Sequence, residues 1–205
     1  MRVRSLLVLL LALAAPASFA HEGHGTINDD PAPLPGEPSM RGAYGGPFLL
    51  TDESGKTVSD ETYHGKYVLL TFGYTSCGDI CPMLLKSMSG ALDALGDKAA
   101  QVQPLFITLD PDNDTPAHLK DALSAIDPRI MGLTGPGDYL DSAARKYRIR
   151  VEKTVSGGMT MYDHTAVIFL MGTDGGFLER FPRTVPAAKI AERIRLRMSQ
   201  PATAP

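Results

Sequence analysis

The sequence predicts a single α/β domain, a sheet with helices on both faces. Three observations predict it. Runs rich in β-branched and aromatic residues alternate with segments whose apolar residues recur at helical spacing. Of the 205 residues, 43% are hydrophobic, enough for one real core. No internal repeat and no second linker interrupts the chain from about Gly46 to Gln200.

The elements follow in order. Phe48-Leu-Leu-Thr, the turn Asp52–Gly55 and Lys56-Thr-Val58 read as a small hairpin. Lys66–Gly73 (KYVLLTFG) suits a buried strand. Pro82–Leu95 carries Leu84, Leu85, Met88, Leu92 and Leu95 at helical spacing, with Pro82 suited to its first turn. Val102–Leu109 is a second strand, Thr115–Ser124 a helix, Ile130–Leu133 a short strand and Gly137–Tyr147 a helix. Ile149–Val151 is an extended piece. Ala166–Met171 (AVIFLM) reads as a central strand, turning at Asp174-Gly175-Gly176 into Phe177–Phe181. Ala187–Met198 closes the chain as a helix with Ile190, Ala191, Ile194 and Met198 on one face.

The first 20 residues read as a secretory signal. Arg2 and Arg4 precede the apolar run Leu6–Ala15, and Ser18-Phe19-Ala20 offers small residues for a cut. That run is too short to span a bilayer, which favours cleavage over an uncleaved anchor. The mature chain would then begin at His21, and export to the periplasm permits cysteine oxidation. Residues 21–46 read as a flexible leader. His21 and His24, with the freed amine, form a candidate metal site beside the plainer reading of a solvated arm. Nine Pro or Gly residues between Pro31 and Pro47 exclude regular structure there. The folded domain is expected over 47–200, with 201–205 a tail.

Composition excludes several classes. With 20 basic and 23 acidic residues the net charge is −3, so a nucleic-acid partner is not expected. No Trp and few aromatics argue against a single-strand stacking platform. No later apolar run is long enough for a transmembrane anchor. Two cysteines are too few for a disulfide scaffold or a four-thiolate zinc site.

Those two cysteines carry the chemistry. Cys77-Gly-Asp-Ile-Cys81-Pro82 lies where the Lys66–Gly73 strand turns into a helix, and a helix N-terminus favours thiolate, the form that attacks disulfides and ligates metals. Three intervening residues allow either a disulfide or a shared metal ion. Two thiolates do not fill a metal site, so a further ligand must come from elsewhere. Of the five histidines, His64 and His118 read as solvated. His164, in Asp163-His164-Thr165 at the start of the AVIFLM strand, stands where open α/β sheets place their ligands.

These residues resemble the Sco/SenC family of cytochrome c oxidase copper-assembly proteins. The resemblance runs through FLLTDESGK near Phe48, FGYTSCGDICP at Phe72–Pro82, TLDPDNDTP at Thr108–Pro116 and DHTAVIFL at Asp163–Leu170. It differs in having Gly78 where members usually carry Pro, and Asn113 where they commonly carry Arg. The resemblance implies a thioredoxin-like fold, a central mixed sheet flanked by helices, with an added N-terminal β-hairpin. It implies one copper site, with Cys77, Cys81 and His164 on the ligand positions. Two thiolates select Cu(I), and an imidazole suits both Cu(I) and Cu(II). Asp79 and Asp163 match acidic positions beside the ligands, as candidates for supporting them or docking a partner.

The leading functional expectation is a periplasmic metallochaperone delivering copper to the binuclear copper A centre of cytochrome c oxidase. Its partners would be the copper-bearing oxidase subunit and other periplasmic copper chaperones or thiol reductases. The alternative is an enzyme, a thiol–disulfide oxidoreductase in which Cys77 attacks and Cys81 resolves. Such enzymes normally carry a proline beside the dithiol before a central strand, and Val151–Gly176 contains none, which favours metal. A peroxiredoxin-like reading fails because Phe72 and Tyr74 replace the Pro and Ser/Thr of its loop. A copper or redox sensor would use the same residues as a chaperone. Asp110, Asp112, Asp114 and Asp121 echo a calcium-loop spacing but lack its glycine. Among the methionines, read mainly as packing, Met161 is the strongest candidate for a further copper contact.

Overall fold

The computed structural model describes residues 44–78, 80–156 and 159–200. The signal, the leader histidines His21 and His24, Asp79 and the 201–205 tail lie outside the described residues.

Among the described residues, nine strands and four helices follow in the order β1 (Leu49–Asp52), β2 (Thr57–Ser59), β3 (Tyr67–Gly73), α1 (Ile80–Leu95), β4 (Val102–Thr108), α2 (Pro116–Ser124), β5 (Met131–Thr134), α3 (Gly137–Lys146), β6 (Val151–Ser156), β7 (Met159–His164), β8 (Val167–Met171), β9 (Phe177–Pro182) and α4 (Ala187–Ser199). Single 3-10 turns precede β3 and β4. Seven strands form one mixed sheet in the order β2-β1-β5-β4-β3-β8-β9. The three central strands β5, β4 and β3 are parallel, and the N-terminal hairpin adds to the edge through an antiparallel β1–β5 pair.

Central strands are buried on both faces, which is why they read as unbroken apolar runs. Leu69, Phe106, Ile168 and Leu170 pack beneath Leu84, Met88 and Leu92 of α1, Leu119 and Leu123 of α2, and Ile190 and Ile194 of α4. On the other face, Leu70, Phe72, Ile107 and Phe169 meet Leu140, Ala143 and Ala144 of α3 and Leu50 and Val58 of the hairpin. Packing reaches back to Tyr44, whose ring lies 4.8 Å from that of Phe177 and 5.6 Å from that of Phe169.

Most elements stand where the sequence pattern puts them, with two differences that concern the site. Helix α1 begins at Ile80, two residues earlier than Pro82, so Cys81 lies inside its first turn. From Val151, the end of the piece read only as extended, the chain forms a second, separate two-stranded sheet, β6 with β7, that the sequence reading did not assign. Their register runs from Val151 opposite His164 to Ser156 opposite Met159.

Candidate metal centre

The two halves of the expected centre meet at one end of the sheet. Strand β3 delivers the cysteine loop, and His164 ends β7, two residues short of the start of β8 at Val167. Because β8 runs antiparallel to β3, with Thr71 facing Ile168, the start of β8 lies beside the end of β3. The Thr71 hydroxyl, wholly buried, donates to the Val167 carbonyl at 2.8 Å and ties these two ends together.

The cysteine loop is a tight turn. The Cys77 amide donates to the Tyr74 carbonyl at 3.2 Å, and the Leu109 amide donates to the Gly73 carbonyl at 2.7 Å. Cys77 is a half-buried free thiol packed against the apolar cluster that contains Tyr74 and Tyr162. Cys81 is the second residue of α1, among the helix N–H groups that have no partner within the helix. Among the described side chains, a set without that of Cys81, no three potential ligands cluster.

His164 is held from the other side. Strand β7 alternates: Tyr162 and His164 are buried, whereas Met161 and Asp163 are exposed. Tyr74 stands edge-on to both buried rings, 5.1 Å from Tyr162 and 6.3 Å from His164. It is thus the bridge between the cysteine loop and the histidine strand. His164 Nδ1 lies 3.1 Å from the Thr165 carbonyl, which can only accept, so Nδ1 carries the proton and Nε2 the lone pair. Burial pushes the imidazole below its ordinary pKa, against the Thr165 carbonyl and the Asp163 charge. The neutral, metal-ligating form is therefore favoured. Thr165 also clamps the hairpin base: its amide donates to the Arg150 carbonyl and its hydroxyl accepts from the Arg150 amide, both at 3.0 Å.

A family model described as SCO1/SenC matches residues 36–199. The chain belongs to the SCO1/SenC family. It is 34% identical over 202 residues to protein sco1 of Schizosaccharomyces pombe, covering 93% of this chain and 75% of that protein. It is 32% identical over 160 residues to protein SenC of Rhodobacter capsulatus, covering 78% and 72%. Against the mitochondrial SCO1 homolog of Homo sapiens the match spans about half of the relative, 52% of its length. Among solved structures, Bradyrhizobium japonicum ScoI with copper bound is 40% identical at a TM-score of 0.70, covering 75% of this chain and 98% of that one. Yeast Sco1 with copper bound is 34% identical at 0.72, covering 82% and 92%. The thioredoxin-like fold expected from the sequence is the fold of these SCO1/SenC proteins.

Several contributors to this end of the SCO1/SenC fold were not identified from the sequence. Asp110 and Asp114, noted in the sequence only for a calcium-loop spacing, are buried internal acceptors. His118, read as solvated, is exposed but bonded, its Nε2 lying 3.0 Å from Thr75 Oγ1. Met161 lies on the face of β7 opposite His164, half exposed, and Met88 is core. Little in the sequence signals Tyr162, since in Met161-Tyr162-Asp163-His164 two apolar residues precede two polar ones and no alternation marks the buried face.

Proposed function

We propose that this SCO1/SenC protein is an exported copper metallochaperone. Cys77, Cys81 and His164 would take one Cu(I) as cargo, the two thiols releasing their protons on binding, and pass it to the binuclear copper A centre of cytochrome c oxidase. The observation that carries the reading is His164: an imidazole buried and oriented at the sheet end that also carries the cysteine loop, with its lone pair on Nε2. A soft dithiol completed by an imidazole fits copper in the cuprous state. The copper-bound ScoI and Sco1 structures support the choice of metal. The Met1–Ala20 pattern supports export to the periplasm, and among the described residues no helix is long and apolar enough to cross a membrane.

The thiol–disulfide oxidoreductase alternative uses the same loop but has no need of His164. A Cu(I) titration of the reduced protein against a chromophoric chelator separates the two. One tight equivalent that collapses in His164→Ala supports the chaperone. Weak binding indifferent to His164 sinks it and turns attention to the Cys77–Cys81 reduction potential. A second equivalent lost only with His21 and His24 would assign a separate leader site.

A further inference from the structure

We propose that the end of β4 and the loop that follows it, residues 108–115, form a common anchor that holds the cysteine loop and the histidine strand in register, with Asp114 positioning the first and Asp110 the second. The inference rests on the copper reading above and concerns residues that touch no cargo.

Asp114 is wholly buried and accepts from three donors, all near the start of the cysteine loop or the end of β4. Its Oδ2 accepts from the Thr75 amide at 3.1 Å and the Thr108 hydroxyl at 2.5 Å. Its Oδ1 accepts from the Thr75 hydroxyl. Thr75 has one hydroxyl proton, and Asp114 takes it. His118 Nε2 therefore donates to Thr75 Oγ1, extending the chain of bonds to α2. Only Ser76 separates Thr75 from Cys77, and the Cys77 amide closes the turn.

Asp110, 2% exposed, serves the other side. Its Oδ1 accepts from the Tyr162 hydroxyl at 3.1 Å, and its Oδ2 from Asn113 Nδ2 at 2.8 Å. Tyr162 shares the buried face of β7 with His164. The two carboxylates are joined through Thr108, whose hydroxyl accepts from the Asp110 amide at 2.9 Å while donating to Asp114, and through the Asp114 amide on the Asp110 carbonyl at 2.8 Å. One rigid polar knot thus grips both arms of the site. Buried carboxylates with every oxygen hydrogen-bonded are costly to disturb, and outer partners of this kind commonly set ligand affinity.

The test compares Thr75→Val, Thr75→Ser and Tyr162→Phe with the parent protein, using Cu(I) competition titration and, without metal, amide hydrogen exchange by NMR. Thr75→Val and Tyr162→Phe should each weaken Cu(I) binding about tenfold. Thr75→Ser, which keeps the hydroxyl, should bind like the parent. In metal-free protein the Cys77 amide should exchange faster in Thr75→Val and remain protected in Tyr162→Phe. Parent-like Cu(I) affinity in both weakened variants, or unchanged Cys77 exchange in Thr75→Val, overturns the anchor. A parent protein that itself binds Cu(I) weakly overturns the chaperone reading, and the metal-free exchange then decides the anchor alone.

Discussion

Replacing Gly132 by alanine isolates how tightly α2 is seated. Gly132 lies in β5 with an ordinary backbone conformation, so alanine faces no left-handed strain there. A Cβ at this position would lie 2.8 Å from Leu119 Cβ and Leu123 Cδ1, and 3.2 Å from Leu119 Cδ1. Carbon pairs are comfortable at about 3.5–4.0 Å. Both leucines are essentially unexposed, and the Leu119 Cβ moves only if α2 moves. Overpacking of this kind costs about 1–3 kcal/mol. Against it, removing glycine's freedom in the unfolded chain stabilises by about 0.4–1 kcal/mol. The clash wins, leaving a net loss of about 1–2 kcal/mol. For a chain of this size that corresponds to a melting temperature lower by about 3–6 °C. Urea unfolding followed by circular dichroism should show a lower midpoint with an unchanged slope. An unchanged or raised midpoint would refute the claim that β5 and α2 are in contact too close to admit a methyl group.

Two further outcomes are expected. Asp127 is held below its ordinary pKa chiefly by the Arg129 side chain, which donates to its carboxylate at 2.6–3.1 Å. A depressed folded pKa adds stability that is present above the unfolded value near 3.9 and lost as pH falls through the folded one. Asp127→Asn should therefore be less stable than the parent at pH 7, and the gap should narrow as melts are repeated below about pH 4; a gap that stays constant would remove this pair from the acid response. Thr71→Val keeps the shape but deletes the donor to the Val167 carbonyl, at a cost of about 1–3 kcal/mol. Equal midpoints in urea for Thr71→Val and the parent would show that the β3–β8 junction does not depend on that bond.

The periodicity of individual segments was legible because each obeys local rules. Leu84, Leu85, Met88, Leu92 and Leu95 recur at helical spacing, and Thr115 with Pro116 marks a helix start. The strand runs YVLLTFG and VIFLM are apolar apart from Thr71, because both faces of the sheet are covered. The β6–β7 hairpin escaped because Glu152, Lys153 and Thr154 are polar and exposed, so the apolar pattern that marked the other strands is missing. A hairpin cue, Gly157-Gly158 between two β-prone runs, stands in the sequence and was not used.

The sequence by itself determined the chemistry on offer: two thiols around a strand-to-helix turn, and a histidine heading a strand. These are local facts, carried by residue type and spacing. Only the tertiary structure decided which groups support them. Thr75 and Asp114 are 39 positions apart, and Tyr162 and Asp110 are 52 apart. No local pattern relates such residues; they meet because β3, β4 and β7 end at the same place. Two of the aspartates that echo a calcium-loop spacing, Asp110 and Asp114, are buried there, since donors that include Thr75 and Tyr162 from distant segments replace water at their carboxylates.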